Sequence, residues 1–307
     1  MTLAHPGLGK PAASPEAIFD AVFRSTGVDG VYGRSGAYET IVEALAIFIS
    51  KERDATAEVL RFPPVACRAL IEKSGYLKSF PHLLGCVCAL GGGDKRIAES
   101  VERFEAGETW TDGLETSDLV LTPAACYPVY PMAAARGPIP REGLLFDVAS
   151  DCFRREPSRD IDRLQSFRMR EYVRIGTPDQ TMAFREEWKE RAVGLAERLG
   201  LSYRVEAASD PFFGRAGAMV GRFQVEQQLK FELVVPVRSA DAPTACMSFN
   251  YHRDHFGLTW SMHGVDGEPA HTACVAFGMD RLAVALFATH GVDSLTWPAS
   301  VRTALGL

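Results

Sequence analysis

No run of apolar residues reaches the roughly 18 positions that a membrane span requires; Ala44–Ile49 and the stretch around Ala133–Ala135 are cut short by charged or polar neighbours. The chain is therefore read as crossing no membrane. The N-terminus also lacks a basic patch followed by an apolar stretch, and Pro6, Pro11 and Pro15 interrupt any continuous helix there. That predicts no export signal and a cytoplasmic location. Positive charge is in deficit: 33 Lys and Arg against 39 Asp and Glu give a net charge of −6, a poor match to a polyanion, so any nucleic-acid contact needs a local basic patch. Paired cysteines are missing too. Cys67, Cys86, Cys88, Cys126, Cys152, Cys246 and Cys274 are an odd number without CxxC spacing, which argues against a disulfide framework. In a reducing compartment most such cysteines are small buried hydrophobes, which leaves one or two available as ligands. What is present, 47% hydrophobic and 23% charged side chains over 307 residues, is a soluble globular composition sufficient for one large domain or two ordinary ones.

Along the chain, residues 1–13 are rich in Pro, Gly and Ala without apolar period and read as a flexible tail, with a single domain over 14–307. Ser14-Pro15 opens a helix that carries Ile18, Phe19, Val22 and Phe23 on one face. A second helix is predicted from about Tyr38 to Lys51, and a third from Pro63-Pro64 to Ser74-Gly75. From about Leu119 short apolar runs punctuated by Pro and Gly predict strands at Leu119–Leu121, Leu144–Val148, Ser202–Val205, Phe231–Val237, Ala245–Tyr251 and Leu258–Met262. Phe184, Trp188, Ala192, Leu195 and Leu199 recur at helical spacing before Gly200, and a last helix is predicted over Asp280–Thr289. Without strict βαβ alternation, this order points to an α+β fold around an antiparallel sheet.

Chemistry concentrates in residues 151–173. This stretch follows one apolar strand and ends in another, so a polar loop places Arg154 and Glu156 at one mouth and Phe167 and Glu171 at the other. Such a set suits a nucleotide, with guanidinium on phosphate, carboxylate on an exocyclic amine and a ring under the base; a solvated charged hairpin is the plainer reading. A second candidate site is histidine-rich: Asn250-Tyr-His-Arg-Asp-His255, with His263 and His271 nearby, would suit a metal-assisted hydrolase, although His252 and His255 are three apart in a strand-to-turn segment. On the strand before it, Cys246, Ser248 and Asn250 alternate with Ala245, Met247 and Phe249, giving one small polar face and one apolar face.

The order Phe153-Arg-x-Glu156, a loop, then Phe167-x-x-x-Glu171 resembles the second signature motif of class II aminoacyl-tRNA synthetases, and Phe277-Gly-Met-Asp-Arg-Leu-Ala-Val-Ala-Leu286 resembles the third. The helix from Pro64 with Ser74-Gly-Tyr-Leu-Lys-Ser-Phe-Pro81 resembles the first, which in that family builds a homodimer interface. The resemblance covers roughly residues 60–290 and implies an antiparallel sheet flanked by helices. Asp118–Pro128 is similar to the amino-acid recognition segment of the seryl enzymes, except that Cys126 stands where most of them have a glutamate for the substrate ammonium. A thiolate can instead hold zinc, which takes the amine in its neutral form. The zinc-dependent archaeal-type seryl enzymes use a Cys, Glu, Cys triplet, which falls here on Cys126, Glu171 and Cys274, one zinc per subunit with Asn250 beside it.

The same resemblance implies an ATP site made of Arg154 on the α-phosphate, Arg281 on the γ-phosphate, and Glu156, Arg163, Leu164 and Phe167 around adenine. Lys230, Glu232, Ala245, Cys246, Met247 and Ser248 complete it, with magnesium bound alongside ATP. The chain departs from the pattern in lacking one magnesium-binding glutamate, for which Glu232 is the substitute. No coiled coil or separate RNA-binding fold is visible, and the chain is acidic, so tRNA is not expected as the acceptor. That combination resembles the amino acid:[carrier protein] ligases, which activate glycine or alanine with ATP and pass it to a phosphopantetheine thiol. The segment 210–224, with Arg215 and Arg222 among Phe212, Phe213, Met219 and Phe223, is the expected docking site for the phosphopantetheinylated carrier protein. A truncated seryl enzyme that charges tRNA and a non-catalytic amino-acid-binding relative are the alternatives.

Overall fold

The computed structural model describes residues 8–307. Of the tail placed at 1–13, residues 1–7 fall outside the described part; beyond them Gly9 N–H donates to Ser202 Oγ, and Ala12 N–H donates to the Ala288 carbonyl. Helix α1 (Pro15–Val22) starts on Ser14, whose hydroxyl accepts from Ala17 N–H, and leads into the hairpin β1 (Phe23–Val28) and β2 (Val31–Arg34). Then follow α2 (Gly36–Ser50), β3 (Glu58–Arg61), β4 (Val65–Cys67), α3 (Arg68–Lys73), α4 (Tyr76–Ser79), β5 (Cys86–Leu90), α5 (Gly93–Glu105), β6 (Leu114–Leu121) and α6 (Val129–Ala134). The second half runs through β7 (Leu144–Phe153), β8 (Ser166–Gly176), α7 (Pro178–Arg198), β9 (Arg204–Ala207), α8 (Gly214–Glu226), β10 (Lys230–Val235) and β11 (Thr244–Arg253). It ends with α9 (His255–Trp260), β12 (His271–Gly278), α10 (Met279–His290) and α11 (Ala299–Leu305).

Seven strands form the central sheet in the order β3-β7-β8-β12-β11-β10-β9, and only the β3–β7 pair is parallel. A smaller sheet, β4-β6-β5, stands beside it. Alternation along the strands decides which face is dry. Tyr172, Leu233, Phe249, Val275 and Phe277 pack with α2, α7 and α10 in one large core. The opposite face carries Val148, Val173 and Cys274 under Tyr130 of α6 and Phe256 of α9, and beyond that cluster it lies open.

Four expectations change, the first being Phe23, which was placed on the first helix but opens β1. The helix predicted from Pro63-Pro64 begins only at Arg68, because Val65–Cys67 pairs with β6 and the Pro64 carbonyl accepts from Thr122 N–H. The strand predicted at Leu258–Met262 is helix α9 and a turn: Gly257 lies so close to the Ala270 carbonyl that a Cβ would come within 2.0 Å of it, and this approach seats the helix on the end of β12. The strand placed at Ser202–Val205 starts at Arg204.

Candidate active site

A cavity of about 540 Å³ opens over the face of the sheet opposite the helical core. Its floor follows from register. Glu171 on β8 pairs with Ala276 on β12, and Cys274 pairs with Asn250 on β11, so Glu171, Cys274 and Asn250 project to the same side. Ser248 and Glu232, opposite each other across β11 and β10, extend that side. Cys126 reaches it from the 122–128 loop, and its N–H donates to Glu171 Oε1 at 3.0 Å.

Cys126, Glu171 and Cys274 are all buried, and their side chains hydrogen-bond to one another. Burial raises the Glu171 carboxyl above the usual carboxylate range. The Cys126 thiol is drawn down by its bond to Cys274, but burial and the Glu171 charge leave it above the ordinary thiol value. Cys274 is pushed well up by its bond to Cys126 and by burial. Asn250 Nδ2 donates to Cys274 Sγ at 3.4 Å and to Ser248 Oγ at 3.1 Å. The predicted triplet is therefore brought together, although not as a coordination shell: among the described residues no three His, Cys, Asp or Glu side chains are gathered as a metal-binding group. The chemistry of the three groups fits zinc, since they are two thiols and a carboxylate buried side by side with no cationic side chain bonded to them among the described residues.

The histidine alternative disperses. His252 Nδ1 faces Thr272 Oγ1 at 3.0 Å, His255 Nε2 faces the Ser74 carbonyl at 3.4 Å, His263 Nδ1 faces the Ser261 carbonyl, and His271 Nδ1 meets Tyr251 OH at 2.6 Å. Only His252 approaches the thiols, with Nε2 3.9 Å from Cys274 Sγ, and burial lowers its pKa to about 4, which leaves the ring neutral.

At the other end of the cavity two arginines are fixed by carbonyls. Arg154 Nε donates to the Pro123 carbonyl at 3.1 Å, and its guanidinium lies over the Phe167 ring at 5.5 Å. Arg281 donates from Nε to the Asp162 carbonyl at 2.9 Å and from Nη1 to the Ala245 carbonyl at 3.1 Å. Burial lowers the Arg281 pKa, and the nearby Arg154 charge lowers it further, so an anion placed between the two stabilises both. Each guanidinium keeps N–H donors for that purpose. Glu156, Leu164 and Phe167 line the same end, but Arg163 does not; it sits half-exposed, with Nη1 3.4 Å from Glu156 Oε1. Lys230 is committed to Asp210 Oδ1 at 2.5 Å and Glu232 Oε1 at 3.1 Å, so Glu232 already has a cationic partner. Ala245, Cys246, Met247 and Ser248 all border the cavity, although the Met247 side chain belongs to the helical core and burial pushes the Cys246 thiol up to about 12.

Sequence reasoning missed Asp162, Asp210, Ser74 and Tyr76, all of which line this cavity. Asp162 takes a hydrogen bond from Thr244 and an ion pair from Arg238 at 3.0 Å, which holds the loop whose carbonyl receives Arg281. Asp210 joins Gln224 of α8 to Lys230 of β10. The partner of Asp162 lies 82 residues away in the sequence, so no local pattern could have marked it, while Ser74, Tyr76 and Asp210 fell in segments read for an interface rather than for this cavity. Arg215 and Arg222 are exposed on α8, whose Val220, Phe223 and Gln224 border the cavity mouth.

No family model matches the sequence. Over 290 residues the chain is 64% identical to amino acid–[acyl-carrier-protein] ligase 1 of Bradyrhizobium diazoefficiens, a match spanning 94% of this chain and 89% of that one. Among solved structures, the seryl-tRNA synthetase of M. kandleri, crystallised with A. aeolicus tRNASec, aligns with a TM-score of 0.83 at 21% identity over 99% of this chain and 63% of that longer chain. The seryl-tRNA synthetase of Pyrococcus horikoshii complexed with ATP aligns with a TM-score of 0.69 at 16% identity, over 97% of this chain and 64% of that one. The fold is thus that of the class II synthetases, with a central, mostly antiparallel sheet flanked by helices.

Proposed function

Since this chain belongs to the amino acid–[acyl-carrier-protein] ligases, enzymes that join an amino acid to a carrier protein, we propose that it uses ATP to activate glycine or alanine as an aminoacyl-adenylate and transfers it to the carrier's phosphopantetheine thiol. The observation that carries this reading is one cavity with two carbonyl-fixed arginines at one end and Cys126, Glu171 and Cys274 at the other.

In the first step the amino acid carboxylate attacks the α-phosphorus and pyrophosphate leaves. No side chain needs to move a proton, so orientation and charge neutralisation supply the rate. Arg154 faces the α-phosphate and Arg281 the γ-phosphate. Glu156 and the backbone at Leu164 read adenine, which stacks on the Phe167 face that Arg154 leaves free. Glu232, which lines the cavity, would be the carboxylate to hold the magnesium that accompanies ATP, in exchange for its pairing with Lys230. Cys126, Glu171 and Cys274 are the residues that would hold one zinc ion per subunit, whose chemistry would be to bind the substrate's amino group in its neutral form; Asn250 borders the same end of the cavity. Phe256, stacked on Tyr130 with ring centroids 3.9 Å apart, borders the cavity and is the apolar wall on which a small substrate side chain would rest. In the second step the arm's sulfur bonds to the adenylate carbonyl carbon, the carbon–oxygen bond to phosphate breaks, AMP leaves with the electron pair, and the thiol proton passes to solvent. A thiol is a strong enough nucleophile to need no dedicated base.

The carrier docks on α8, where Arg215 and Arg222 offer positive charge among exposed Phe213, Met219 and Phe223. A second copy of the chain pairs through the segment 64–81 and the neighbouring small sheet, where Leu77 and Leu119 are exposed. Pyrophosphate exchange across the twenty amino acids identifies the substrate. Enzyme, ATP and labelled glycine or alanine are then mixed with modified carrier, unmodified carrier or total tRNA. Label on the modified carrier alone, released by hydroxylamine, is the expected result; label on tRNA establishes the synthetase reading instead.

A further inference from the structure

His252 is left without a task in the reaction, yet it is the histidine that reaches the buried thiols. Strand β11 pairs regularly with β12 as far as Tyr251, which faces Ala273, and then bulges, so that His252 and Arg253 together oppose Thr272. Arg253 takes a φ of 54°, uncommon for a residue other than glycine. Bulges of this kind re-aim side chains beside active sites. The His252 Nδ1 meets Thr272 Oγ1 at 3.0 Å, and its Nε2 lies 3.9 Å from Cys274 Sγ. Thr272 is fully buried, and the ring is held edge-on by Phe256, with centroids 5.1 Å apart, and by Tyr130 at 6.5 Å. The imidazole thus spans one hydroxyl and one ligand sulfur in a fixed orientation.

We propose that His252 is a positioning residue for the metal site: its Nε2–H donates to the Cys274 sulfur, and the Thr272 hydroxyl, by donating to Nδ1, fixes the ring in that tautomer. The inference rests on the zinc reading above and goes beyond it by adding an outer partner that holds one ligand in place. A thiolate on a metal carries no proton, so its sulfur can only accept, and Nε2 must then bear the hydrogen. In a neutral imidazole Nδ1 is left as the acceptor, and Thr272 can turn its hydroxyl proton toward it. Asn250 Nδ2, at 3.4 Å, gives the same sulfur a second donor, but that amide also serves Ser248 Oγ. The relay keeps the ring outside the coordination shell: three protein ligands leave a fourth position open for substrate, and a ligating imidazole would close it. Outer partners orient a ligand and tune its charge, and their loss typically costs about 10–100-fold in metal affinity.

The test measures the zinc affinity of the intact protein by competition with a chelator, and the sulfur-to-metal charge-transfer band of the cobalt(II)-substituted protein. His252→Ala should weaken zinc binding by about tenfold or more and move the band to longer wavelength, because a sulfur that loses a donor gives up its electrons more readily. His252→Gln, whose amide nitrogen can stand where Nε2 does, should retain most of the affinity and the band position. Thr272→Val keeps the volume and removes the hydroxyl, so it should show part of the loss, and Thr272→Ser should not. The band is read only from chains that hold metal, so partial misfolding does not move it. Unchanged affinity and band in His252→Ala overturn the assignment, and so does an equal loss in His252→Gln, which would make the ring a space-filler or a direct ligand. Wild-type protein that takes up neither metal overturns the zinc reading itself, and this relay with it.

Discussion

Cys126 and Cys274 show how far single residues could be read from the chain. Their identity as thiols is local, but their meeting with Glu171 depends on the β8–β12 register and on a loop whose Cys126 lies 45 residues before Glu171. If zinc links them, freshly prepared, chelator-free protein contains about one zinc per chain and Cys126→Ser loses it while the far-UV circular dichroism is kept; metal analysis that finds no zinc in the wild type rejects the triplet as a metal site. At the phosphate end, Arg154→Ala or Arg281→Ala should each lower pyrophosphate exchange by roughly 10²-fold, the scale of losing a preorganised donor. Unaltered exchange in both removes them from the first step. Arg163 was placed with these residues by its position in the motif, yet the turn after Asp160 carries it outward to Glu156.

Helix α8 poses the question at the scale of an element. Three of its thirteen residues are glycine, which weakens it as a helix, and two of these face the 209–212 strap. A Cβ on Gly217 would come within 2.6 Å of the Phe212 carbonyl carbon, whereas one on Gly221 would make ordinary contacts at 3.5 Å. Gly217→Ala should therefore shift the strap and lower the melting temperature, while Gly221→Ala should raise helix stability by about 0.5–1 kcal/mol. Equal effects from the two would contradict the seating. The helix is anchored at its far end, where Asp210 accepts from Gln224 Nε2 at 2.9 Å and from Lys230 Nζ. If its exposed cations receive an acidic carrier, Arg215→Glu with Arg222→Glu should raise the carrier KM at least tenfold at low salt and flatten its dependence on salt. A carrier KM that ignores both changes moves the docking surface elsewhere. The sequence marked this segment by its arginines and aromatic residues, but the strap beneath the helix has no local signature.

For the whole molecule, the central ion cluster links the layers. Asp147 on β7 is fully buried and meets Arg170 at 2.5 Å, Arg53 at 3.2 Å and Arg61 at 3.3 Å, while Arg170 also donates to Ala46 O and Ser50 Oγ of α2. Burial works against the Asp147 carboxylate, but the arginines prevail and hold its carboxyl below the ordinary range. With the native pKa depressed, this contribution is complete above the unfolded value of about 3.9 and is lost as pH falls through the native one. Asp147→Asn should thus cost about 3–5 kcal/mol at neutral pH, since it leaves a buried Arg170 unpaired. In urea titrations the gap to wild type should narrow toward pH 3; a gap of the same size at both pH values would mean that the charge is not what matters. Neither Arg53 nor Arg61 was singled out in the sequence, because the layers that surround Asp147 exist only once the chain has folded. The sequence by itself determined what depends on neighbours within a turn or a strand: the capped helices α1, α2 and α7, the alternation that gives β11 one polar face, and the two arginine-bearing motifs. Tertiary structure alone decided that Val65–Cys67 is a strand, that Gly257 lets α9 settle on the Ala270 carbonyl, and that the Tyr76 and Ser74 oxygens are buried without a hydrogen-bond partner among the described residues. Pairing, close approach and burial are relations between distant segments, and such relations are set by packing.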